Sequence, residues 1–563
     1  MAEWDFLTDL LVVGTGGGLA GAVAASSRGR QVLIIEKSDF IGGSTGVSGG
    51  VLWLPNNPLM QREGVEDSIA EGLQHMDAVI GDVGPASSPA RRRTYVVKGI
   101  ELVHQLESLG VRFVRAEGYS DYYEGYPGVP GGKARGRAIE GVPWDGRQLG
   151  PWEAKLRPSI AGNMTMLTGD VGTMMQLRVH PKGIARAIKV AARTAMGRAR
   201  RQRLLTNGAS LTGQVLNVLV RAQVPVWTST VLTDLVVEDG AVVGAVVQRE
   251  GRTMRIGARG GVLLASGGFA KNQEMRDRYS RQPSRSEWSI APATDTGEVI
   301  ELAISKGADT ALMEEAWWIP AAVAPGGQAA PIIGERSKPH SIVVDSSGER
   351  FFNEAAPQTE AGRAMYVREQ ERGGAIPAWL ILESRHRARY LFGRTMPGKT
   401  PEELITSGFL KRADTLAELA KQCGIDAAGL AKTVERFNGF ARNGVDEDFH
   451  RGQGAHDHYQ GDWSYKKNAS LGELTTGPFY AVALYPGDVG TSGGLLTDEH
   501  ARVLGAGGEP IVGLYAAGNC TAAVMGRAYL GPGASIGPSH VFSYVAGQHA
   551  SERAADEVPT ALA

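Results

Sequence analysis

The feature that most constrains the fold is a strand–glycine turn–helix–strand pattern at the start of the chain. The apolar run 9–13 ends at Gly14, a glycine-rich helical stretch follows, and a second apolar run, 32–35, ends at Glu36. This order predicts a βαβ unit whose glycines let the backbone approach a pyrophosphate at a helix N-terminus. Glu36, at the end of the second strand, can accept hydrogen bonds from ribose hydroxyls. The sequence therefore predicts an adenine-dinucleotide site. Strict G-x-G-x-x-G spacing would place glycine at position 19, where this chain has Leu19. We therefore expect Gly18 or Gly21 to make the close contact between helix and strand.

Composition excludes several other classes. Glycine supplies 76 of 563 residues, but 42% of the chain is hydrophobic and no G-X-Y repeat occurs, so a collagen or a disordered chain is excluded. The net charge of −1 argues against a nucleic-acid partner, because no overall basic field exists to hold the phosphate backbone. Two cysteines and the lack of a signal peptide or long apolar run favour a cytoplasmic protein. We predict no metal site, since the His450, His456 and His458 segment resembles a polar surface loop without cysteine.

A second glycine-rich loop distinguishes between dinucleotides. Residues 37–50 continue as KSDFIGGSTGVSGG, which offers N–H and hydroxyl donors where a simple NAD domain would enter its next helix. Glycine segments return at 261–268 and 513–537, and a helix expected from Pro538 would point its positive end at a bound group. We therefore predict FAD as the cofactor. The predicted FAD-binding residues are Gly14, Gly16, Gly17, Gly18, Glu36, Lys37, Gly43, Ser44, Thr45, Ser48, Gly49, Gly50, Val231, Ala265, Ser266, Gly267, Asn272, Asp295, Gly518, Asn519, Ser535 and Ile536.

Six stretches along the whole chain resemble the flavin-dependent 3-ketosteroid Δ1-dehydrogenases of the fumarate reductase/succinate dehydrogenase flavoprotein superfamily. They are SGGVLWLPNNP (48–58), LLASGGFAKNQEMR (263–276), EEAWWIP (314–320), ERSKPHSIVVDSSGERFFNEAAP (335–357), PGDVGTSGGL (486–495) and GLYAAGNCTAAVMGRAYLGPGASIGP (513–538). The resemblance implies an α/β protein with a discontinuous, Rossmann-like FAD-binding domain over 1–287 and 486–563, including a basic helical insertion near 182–205. An α+β catalytic cap would be inserted over 288–485.

The resemblance also implies 1,2-desaturation of a 3-ketosteroid. Tyr529 and the Gly533 amide would hold the ketone, since a phenol and a backbone N–H can stabilise the enolate that forms when C2 loses its proton. C1 would give hydride to the flavin, which passes its electrons to a further acceptor. The family's base is a tyrosine at the position where this chain has Gln358, and an amide cannot hold a proton. We therefore expect Tyr122, or less favourably Tyr119, to act as the base or relay the proton, with Gln358 orienting it.

Other functions remain open at this stage. The same chemistry would serve a non-steroid cyclic ketone. A fumarate-reductase-like enzyme would need a cationic clamp that the Tyr529 segment does not offer, and a flavin-free binding protein would be colourless. Residues 182–203 carry eight Lys and Arg residues at helix-like spacing. Such a helix can lie on an anionic membrane surface, and the alternative is a solvated helix face.

Overall fold

The computed structural model describes residues 4–158, 162, 164–393 and 395–556. Among these residues the strands are, in chain order, β1 (Phe6–Val13), β2 (Val32–Ile35), β3 (Val51–Trp53), β4 (Phe113–Arg115), β5 (Ala138–Gly141), β6 (Trp144–Asp145), β7 (Leu204–Leu205), β8 (Val226–Trp227), β9 (Thr230–Glu238), β10 (Ala241–Arg249), β11 (Arg252–Leu264), β12 (Thr310–Ala311), β13 (Ala316–Val323), β14 (Ala329–Pro331), β15 (Ser341–Val344), β16 (Ala378–Leu382), β17 (Lys411–Ala413), β18 (Phe479–Thr491), β19 (Gly494–Leu495), β20 (Arg502–Leu504) and β21 (Pro510–Ala516).

The α-helices of the same ranges are α1 (Gly18–Ser26), α2 (Gly43–Val47), α3 (Pro58–Arg62), α4 (Ile69–Ile80), α5 (Pro89–Ser108), α6 (Thr168–Met174), α7 (Pro181–Ala199), α8 (Asn207–Arg221), α9 (Gln273–Tyr279), α10 (Glu298–Ser305), α11 (Gly334–Ser337), α12 (Gln358–Arg372), α13 (Ser384–Arg389), α14 (Glu402–Thr406), α15 (Leu416–Cys423), α16 (Ala427–Asn443), α17 (Ala455–Gln460) and α18 (Ile536–Asp556). Within the described ranges, no helix combines the length and apolar character needed to cross a bilayer.

The first sheet is built around parallel strands in the order β21-β11-β1-β2-β8. Alternate residues of β1 point to opposite faces: Leu10 and Val12 pack in one core, and Leu11 and Val13 pack in the other. Helices α1 and α18 pack against each other and against this sheet, while α10 contacts the β9–β10 hairpin. Burial on both faces explains why these strands read as continuous apolar runs rather than alternating ones. The predicted βαβ unit and α/β fold class are confirmed.

A second sheet is antiparallel, in the order β14-β13-β18-β16-β15, and β17 also pairs with β18. Cores lie on both of its faces, with α15 and α16 contributing to one and α12 to the other. The domain boundaries expected at 288 and 486 stay a prediction. Helix α10, which follows the first boundary, packs into the core of the first sheet, and β18 continues past residue 485 within the second sheet.

Candidate active site

The predicted nucleotide-binding residues meet at one edge of the first sheet. Gly14 directly follows β1, Glu36 follows β2, and Ala265 follows β11, while Gly518 comes two residues after β21. These four strands run parallel, so their carboxyl ends lie at the same edge. Ligands of open α/β sheets bind at this edge. The sheet therefore brings together segments from both ends of the chain.

The first glycine turn is packed too closely for side chains. Gly14 has φ of +104°, and a Cβ there would lie 2.3 Å from the Ala265 carbonyl oxygen. A Cβ on Gly17 would lie 2.1 Å from Ser539 Oγ in α18, and one on Gly21 would lie 2.7 Å from the Ser543 carbonyl oxygen. Gly18 and Gly21 both take close contacts with the strands, since their added Cβ atoms would lie 2.9 Å from Val12 Cγ1 and 2.6 Å from Leu263 Cδ2. The α1 N-terminus is held tightly against the sheet edge and α18.

Glu36 is buried and connects the two glycine loops. Its Oε2 accepts hydrogen bonds from the Thr15 N–H at 3.2 Å and from the Thr15 hydroxyl at 2.5 Å. The same hydroxyl accepts a bond from the Gly42 N–H at 2.9 Å. The two glycine loops also approach each other directly, since a Cβ on Gly43 would lie 3.9 Å from the Gly16 Cα. The turns carrying Gly16 and Gly43 therefore face each other beside a carboxylate with remaining acceptor capacity.

The rest of the second loop is fixed by local hydrogen bonds. Ser44 and Thr45 lie in α2, and the Ser48 hydroxyl donates to the Thr45 carbonyl at 2.7 Å and accepts from the Gly50 N–H at 3.0 Å. Gly50 has φ of +64°, and the Gly49 carbonyl accepts a bond from the Thr168 hydroxyl at 2.9 Å. The loop is therefore ordered by its own hydrogen bonds.

Asp295 supplies an unsatisfied acceptor beside the β11 segment. It is buried, and its Oδ2 has no hydrogen-bond partner within the described residues. A Cβ on Gly267 would lie 2.3 Å from its other oxygen, which places the carboxyl against the turn 265–267. Burial raises the pKa of Asp295 to about 7. A buried, unpaired carboxyl oxygen is costly unless a ligand group completes it, so the site fits a polar cofactor chain such as that of FAD.

Two of the predicted FAD contacts, Lys37 and Asn272, already bond to protein groups. Lys37 Nζ donates to Thr296 Oγ1 at 2.7 Å and pairs with Glu298, and Asn272 Nδ2 donates to the Thr296 carbonyl at 2.9 Å. Val231 is half-buried in β9. The roles of these residues toward a cofactor stay predictions.

Tyr529 and Gly533 converge at the start of α18. The Gly533 N–H lies near the Tyr529 hydroxyl oxygen, and that hydroxyl lies 3.2 Å from Ser535 Oγ. Gly533 has φ of +95°, and a Cβ on it would lie 2.4 Å from the Val51 carbonyl oxygen. Tyr529 is buried, and its burial raises its pKa above the ordinary value. A neutral phenol and a backbone amide are thus held together, next to a helix that begins at Ile536 rather than at the expected Pro538.

Tyr122 lies against Tyr529. The two rings are stacked with centroids 5.8 Å apart, and the Tyr122 N–H donates to the Leu530 carbonyl at 2.8 Å. The side chain of Gln358, the first residue of α12, lies near the Tyr122 hydroxyl. Burial raises the pKa of Tyr122 well above its ordinary value. The structure therefore brings together Tyr529, Gly533, Tyr122 and Gln358.

Tyr119 has a different neighbour. Its ring lies 4.3 Å from that of Tyr459 in α17, and the two phenols lie close together. Burial raises the pKa of Tyr119 to about 12. The structure therefore favours Tyr122 over Tyr119 for contact with the Tyr529 centre.

Two aromatic neighbours of this centre were not identified as site residues from the sequence. Trp317 packs edge-on against the Tyr529 ring at 5.5 Å, and its Nε1 donates to Asn519 Oδ1 at 3.0 Å. His456 lies 4.1 Å from the Tyr122 ring and is buried, so the expectation of a polar surface loop here is wrong for this residue. The EEAWWIP stretch pointed to Trp317, whereas no local signal marked His456. Among the described residues, no group of His, Cys, Asp and Glu side chains could hold a metal ion.

Comparison with known proteins gives consistent matches along the chain. Residues 9–536 match a family model described as FAD binding domain. The chain is 42% identical to 3-oxosteroid 1-dehydrogenase of Mycolicibacterium smegmatis over 96% of both chains. It is 33% identical to 4-oxocyclohexanecarboxylate 2-dehydrogenase of Sinomonas cyclohexanicum, covering 97% of this chain and 93% of that one. A crystal structure of 3-ketosteroid Δ1-dehydrogenase from Sterolibacterium denitrificans with 1,4-androstadiene-3,17-dione superposes with a TM-score of 0.91 at 36% identity, covering 97% and 99% of the two chains.

Proposed function

The chain belongs to the FAD-binding flavoprotein family of the 3-oxosteroid 1-dehydrogenases, and from this premise we propose that it forms the C1=C2 double bond of a 3-ketosteroid. The observation that carries the proposal is the convergence of the Tyr529 hydroxyl and the Gly533 N–H. Two donors at one point suit a ketone oxygen that gains negative charge as the neighbouring carbon loses a proton. Trp317 supplies an apolar wall beside them.

The residues at the edge of the first sheet would hold FAD. The turns at Gly16 and Gly43 would hold the pyrophosphate, Glu36 would accept the ribose hydroxyls, and Asp295 would gain a partner for its free oxygen. When bound there, FAD would supply the acceptor for the hydride that leaves C1. The predicted contacts at Ser44, Thr45, Gly267, Gly518 and Ser535 lie on the same segments.

On the protein side, Tyr529 and Gly533 would bind and polarise the ketone, and burial would exclude water from the developing enolate. Tyr122 would lie on the side where the C2 proton leaves, with Gln358 orienting its hydroxyl. Because burial raises the pKa of Tyr122, the hydroxyl is neutral at pH 7 and would relay a proton rather than hold one. Tyr119, tied to Tyr459, would support this wall.

A dicarboxylate substrate, as in a fumarate-reductase-like enzyme, is not favoured. Such a substrate would need a free cation near Tyr529. Arg527, two residues away, already pairs with Glu314 at 3.1 Å and Glu315 at 3.2 Å. A smaller cyclic ketone would use the same chemistry and therefore serves as the comparison substrate in the test.

The test is an anaerobic titration of the purified yellow protein. Androst-4-ene-3,17-dione should bleach the flavin and yield the 1,4-diene, while simple cyclohexenones should act weakly and succinate should have no effect. Bleaching by cyclohexenones but not by the steroid would replace the proposed substrate, and bleaching by succinate would replace the reaction class. A colourless protein that does not bind added FAD would overturn the proposal altogether.

We also propose that α7 contacts an anionic membrane. Its outward face is apolar: Ile184, Ile188 and Met196 are 53%, 63% and 52% exposed. Arg186 and Arg193 instead turn inward, each 3.0 Å from an oxygen of the buried Asp170. Lys182 and Lys189 stand beside the apolar face. An exposed apolar stripe with flanking cations is the arrangement of helices that lie in a membrane interface.

A groove beside α7 supports a membrane contact through the outward face of this helix. It has a volume of about 740 Å³, and its lining includes Lys182, Lys189 and Ala185 of α7 together with Ser120 and Tyr459. Tyr459 is the ring that packs on Tyr119, and Ser120 is close in sequence to Tyr122. We propose that a sparingly soluble steroid reaches the Tyr529 centre from the membrane along this groove.

A further inference from the structure

Arg91, in the first turn of α5, is a buried cation without a counter-ion. It is 2% exposed, and among the described residues only its Nη1 donates hydrogen bonds, to the carbonyls of Ala86 and Ala522. Its Nε has no partner in the same part of the chain. A buried charge is costly unless it is paired, and the first turn of a helix disfavours a cation further. An electron-rich ligand group beside Arg91 would offset this cost.

The protein groups around Arg91 leave its charge in place. Burial lowers the pKa of Arg91 to about 10, against smaller opposing effects of Asp498 and Glu499, so the guanidinium stays charged at pH 7. Neither acid hydrogen-bonds it, and Asp498 already pairs with Arg502 at 2.6 Å. The guanidinium carbon lies 4.9 Å from the centre of the Phe542 ring, a contact that orients the cation without neutralising it.

Arg91 lines a small cavity at the carboxyl edge of the first sheet. Trp317, Asn519 and Ser535 line the same cavity. Ser535 Oγ lies 3.2 Å from the Tyr529 hydroxyl, and Trp317 packs edge-on against the Tyr529 ring at 5.5 Å. Asn519 and Ser535 are also among the predicted FAD-binding residues. The cavity therefore adjoins both the proposed ketone site and the segments expected to hold the cofactor.

The desaturation chemistry places a developing negative charge in this region. The hydride donor C1 is only two bonds from the carbonyl carbon, so the hydride acceptor must lie beside the Tyr529 centre. A hydride brings two electrons and one proton, and its acceptor therefore gains one negative charge. In an isoalloxazine ring system this charge is centred on the N1 and C2=O atoms of the pyrimidine ring. A fixed cation beside those atoms favours the reduced form of the cofactor.

We propose that Arg91 holds its charge beside the pyrimidine ring of bound FAD and raises the reduction potential of the cofactor. The positive end of α18, which begins at Ile536, acts in the same direction. Arg91 is thus a residue that makes hydride transfer from the ketone more favourable without touching the ketone. The inference rests on the proposed function, in which FAD and the Tyr529 centre share one site.

The test measures the reduction potential of the FAD-loaded protein against a reference dye. Arg91→Gln removes the charge, Arg91→Lys keeps it, and Arg93→Gln, at an exposed position of the same helix, is the matched control. We expect Arg91→Gln to disfavour two-electron reduction by about tenfold or more, which lowers the potential by about 30 mV. Sulfite, which adds to the oxidised flavin more tightly when a cation is near, should bind about tenfold more weakly. Arg91→Lys should recover most of both effects, and Arg93→Gln should match wild type.

A reduction equilibrium for Arg91→Gln within about twofold of wild type would overturn the inference. If FAD affinity alone falls, Arg91 binds the pyrophosphate instead; if wild type binds succinate and only that binding is lost, Arg91 binds a substrate carboxylate. Either result also overturns it. If Arg91→Gln does not fold, ¹⁵N NMR of reduced wild type carrying FAD labelled at N1 decides: we expect an unprotonated N1 at pH 6, and a protonated N1 would overturn the inference. Failure of wild type to react with any 3-ketosteroid would refute the proposed function, and the potentials would still judge Arg91.

Discussion

Tyr122 and Tyr529, more than 400 residues apart in the chain, stack with their ring centroids 5.8 Å apart and their planes 26° apart. A backbone bond of 2.8 Å from the Tyr122 N–H to the Leu530 carbonyl fixes this approach. The loop of Tyr122 is itself held by Asp121, which accepts bonds from Trp53 Nε1 at 2.8 Å and Arg137 Nη1 at 2.9 Å. The wall that faces the Tyr529 hydroxyl is therefore held by hydrogen bonds from several segments of the chain.

Removing the Tyr529 hydroxyl should affect the reaction much more than the fold. We expect Tyr529→Phe to slow flavin reduction by a 3-ketosteroid by about 10²–10³-fold, the usual loss for one donor to a developing oxyanion. Tyr485→Phe, in the second sheet, should leave the rate unchanged. Stopped-flow absorbance of the flavin measures both. Equal rates for Tyr529→Phe and wild type would remove Tyr529 from the ketone site.

Gly533→Ala tests the backbone half of the same site. The positive φ and the Val51 carbonyl 2.4 Å from the added Cβ should cost about 1–3 kcal/mol of folding free energy and displace the N–H from Tyr529. Gly439→Ala, in α16, meets no atom within 4 Å in the described residues and should be neutral or slightly stabilising. Thermal unfolding and flavin-reduction rates of the two variants make the comparison. An active, fully stable Gly533→Ala protein would contradict the described geometry.

Asp295 predicts a pH dependence of stability. Its pKa is raised by burial from 3.8 to about 7, so between these values the folded protein binds more protons than the unfolded chain. Stability from this group is therefore present below pH 4 and is lost as the pH rises toward and through 7. As the pH is raised from 5 to 8, the melting temperature of Asp295→Asn should fall less than that of wild type. Parallel pH profiles for the two proteins would show that the carboxyl is not shifted.

The outward face of α7 predicts membrane binding. Wild type should co-sediment with vesicles containing an anionic phospholipid, less so at high salt, because both apolar insertion and charge contribute. Ile184→Ser with Ile188→Ser should abolish binding, whereas Val512→Ser, equally exposed at 52%, should not. Flavin reduction by dissolved steroid should be unchanged in all three proteins. Sedimentation of the double variant at the wild-type level would refute membrane contact through this face.

The nucleotide-binding half of the fold could be predicted because its signals are local. Glycines, apolar runs and Glu36 follow one another within about 30 residues, so the βαβ unit was evident from the sequence alone. The pairing of Tyr529 with Gly533, with three residues between them, came from the family resemblance of the segment 513–538. The resemblance supplied the rest of the outline, including Gln358 at the position where a tyrosine was expected.

Long-range burial explains what the sequence did not show. His456 lies among polar residues, a pattern typical of a surface loop, yet contact with Tyr122, over 300 residues earlier, buries it. The basic helix showed its amphipathic character but not which side faced inward. The buried carboxylate of Asp170 draws Arg186 and Arg193 to the protein, and this leaves the apolar side exposed.

The central claim is that this chain desaturates the C1–C2 bond of a ketone held by Tyr529 and Gly533. A single anaerobic turnover with androst-4-ene-3,17-dione carrying deuterium at C1 and C2, followed by mass spectrometry, tests it most directly. The account predicts stoichiometric flavin bleaching and a 1,4-diene that has lost one hydrogen isotope from each of these carbons. Bleaching with both deuterium labels retained, or no bleaching of a fully FAD-loaded protein, would contradict it.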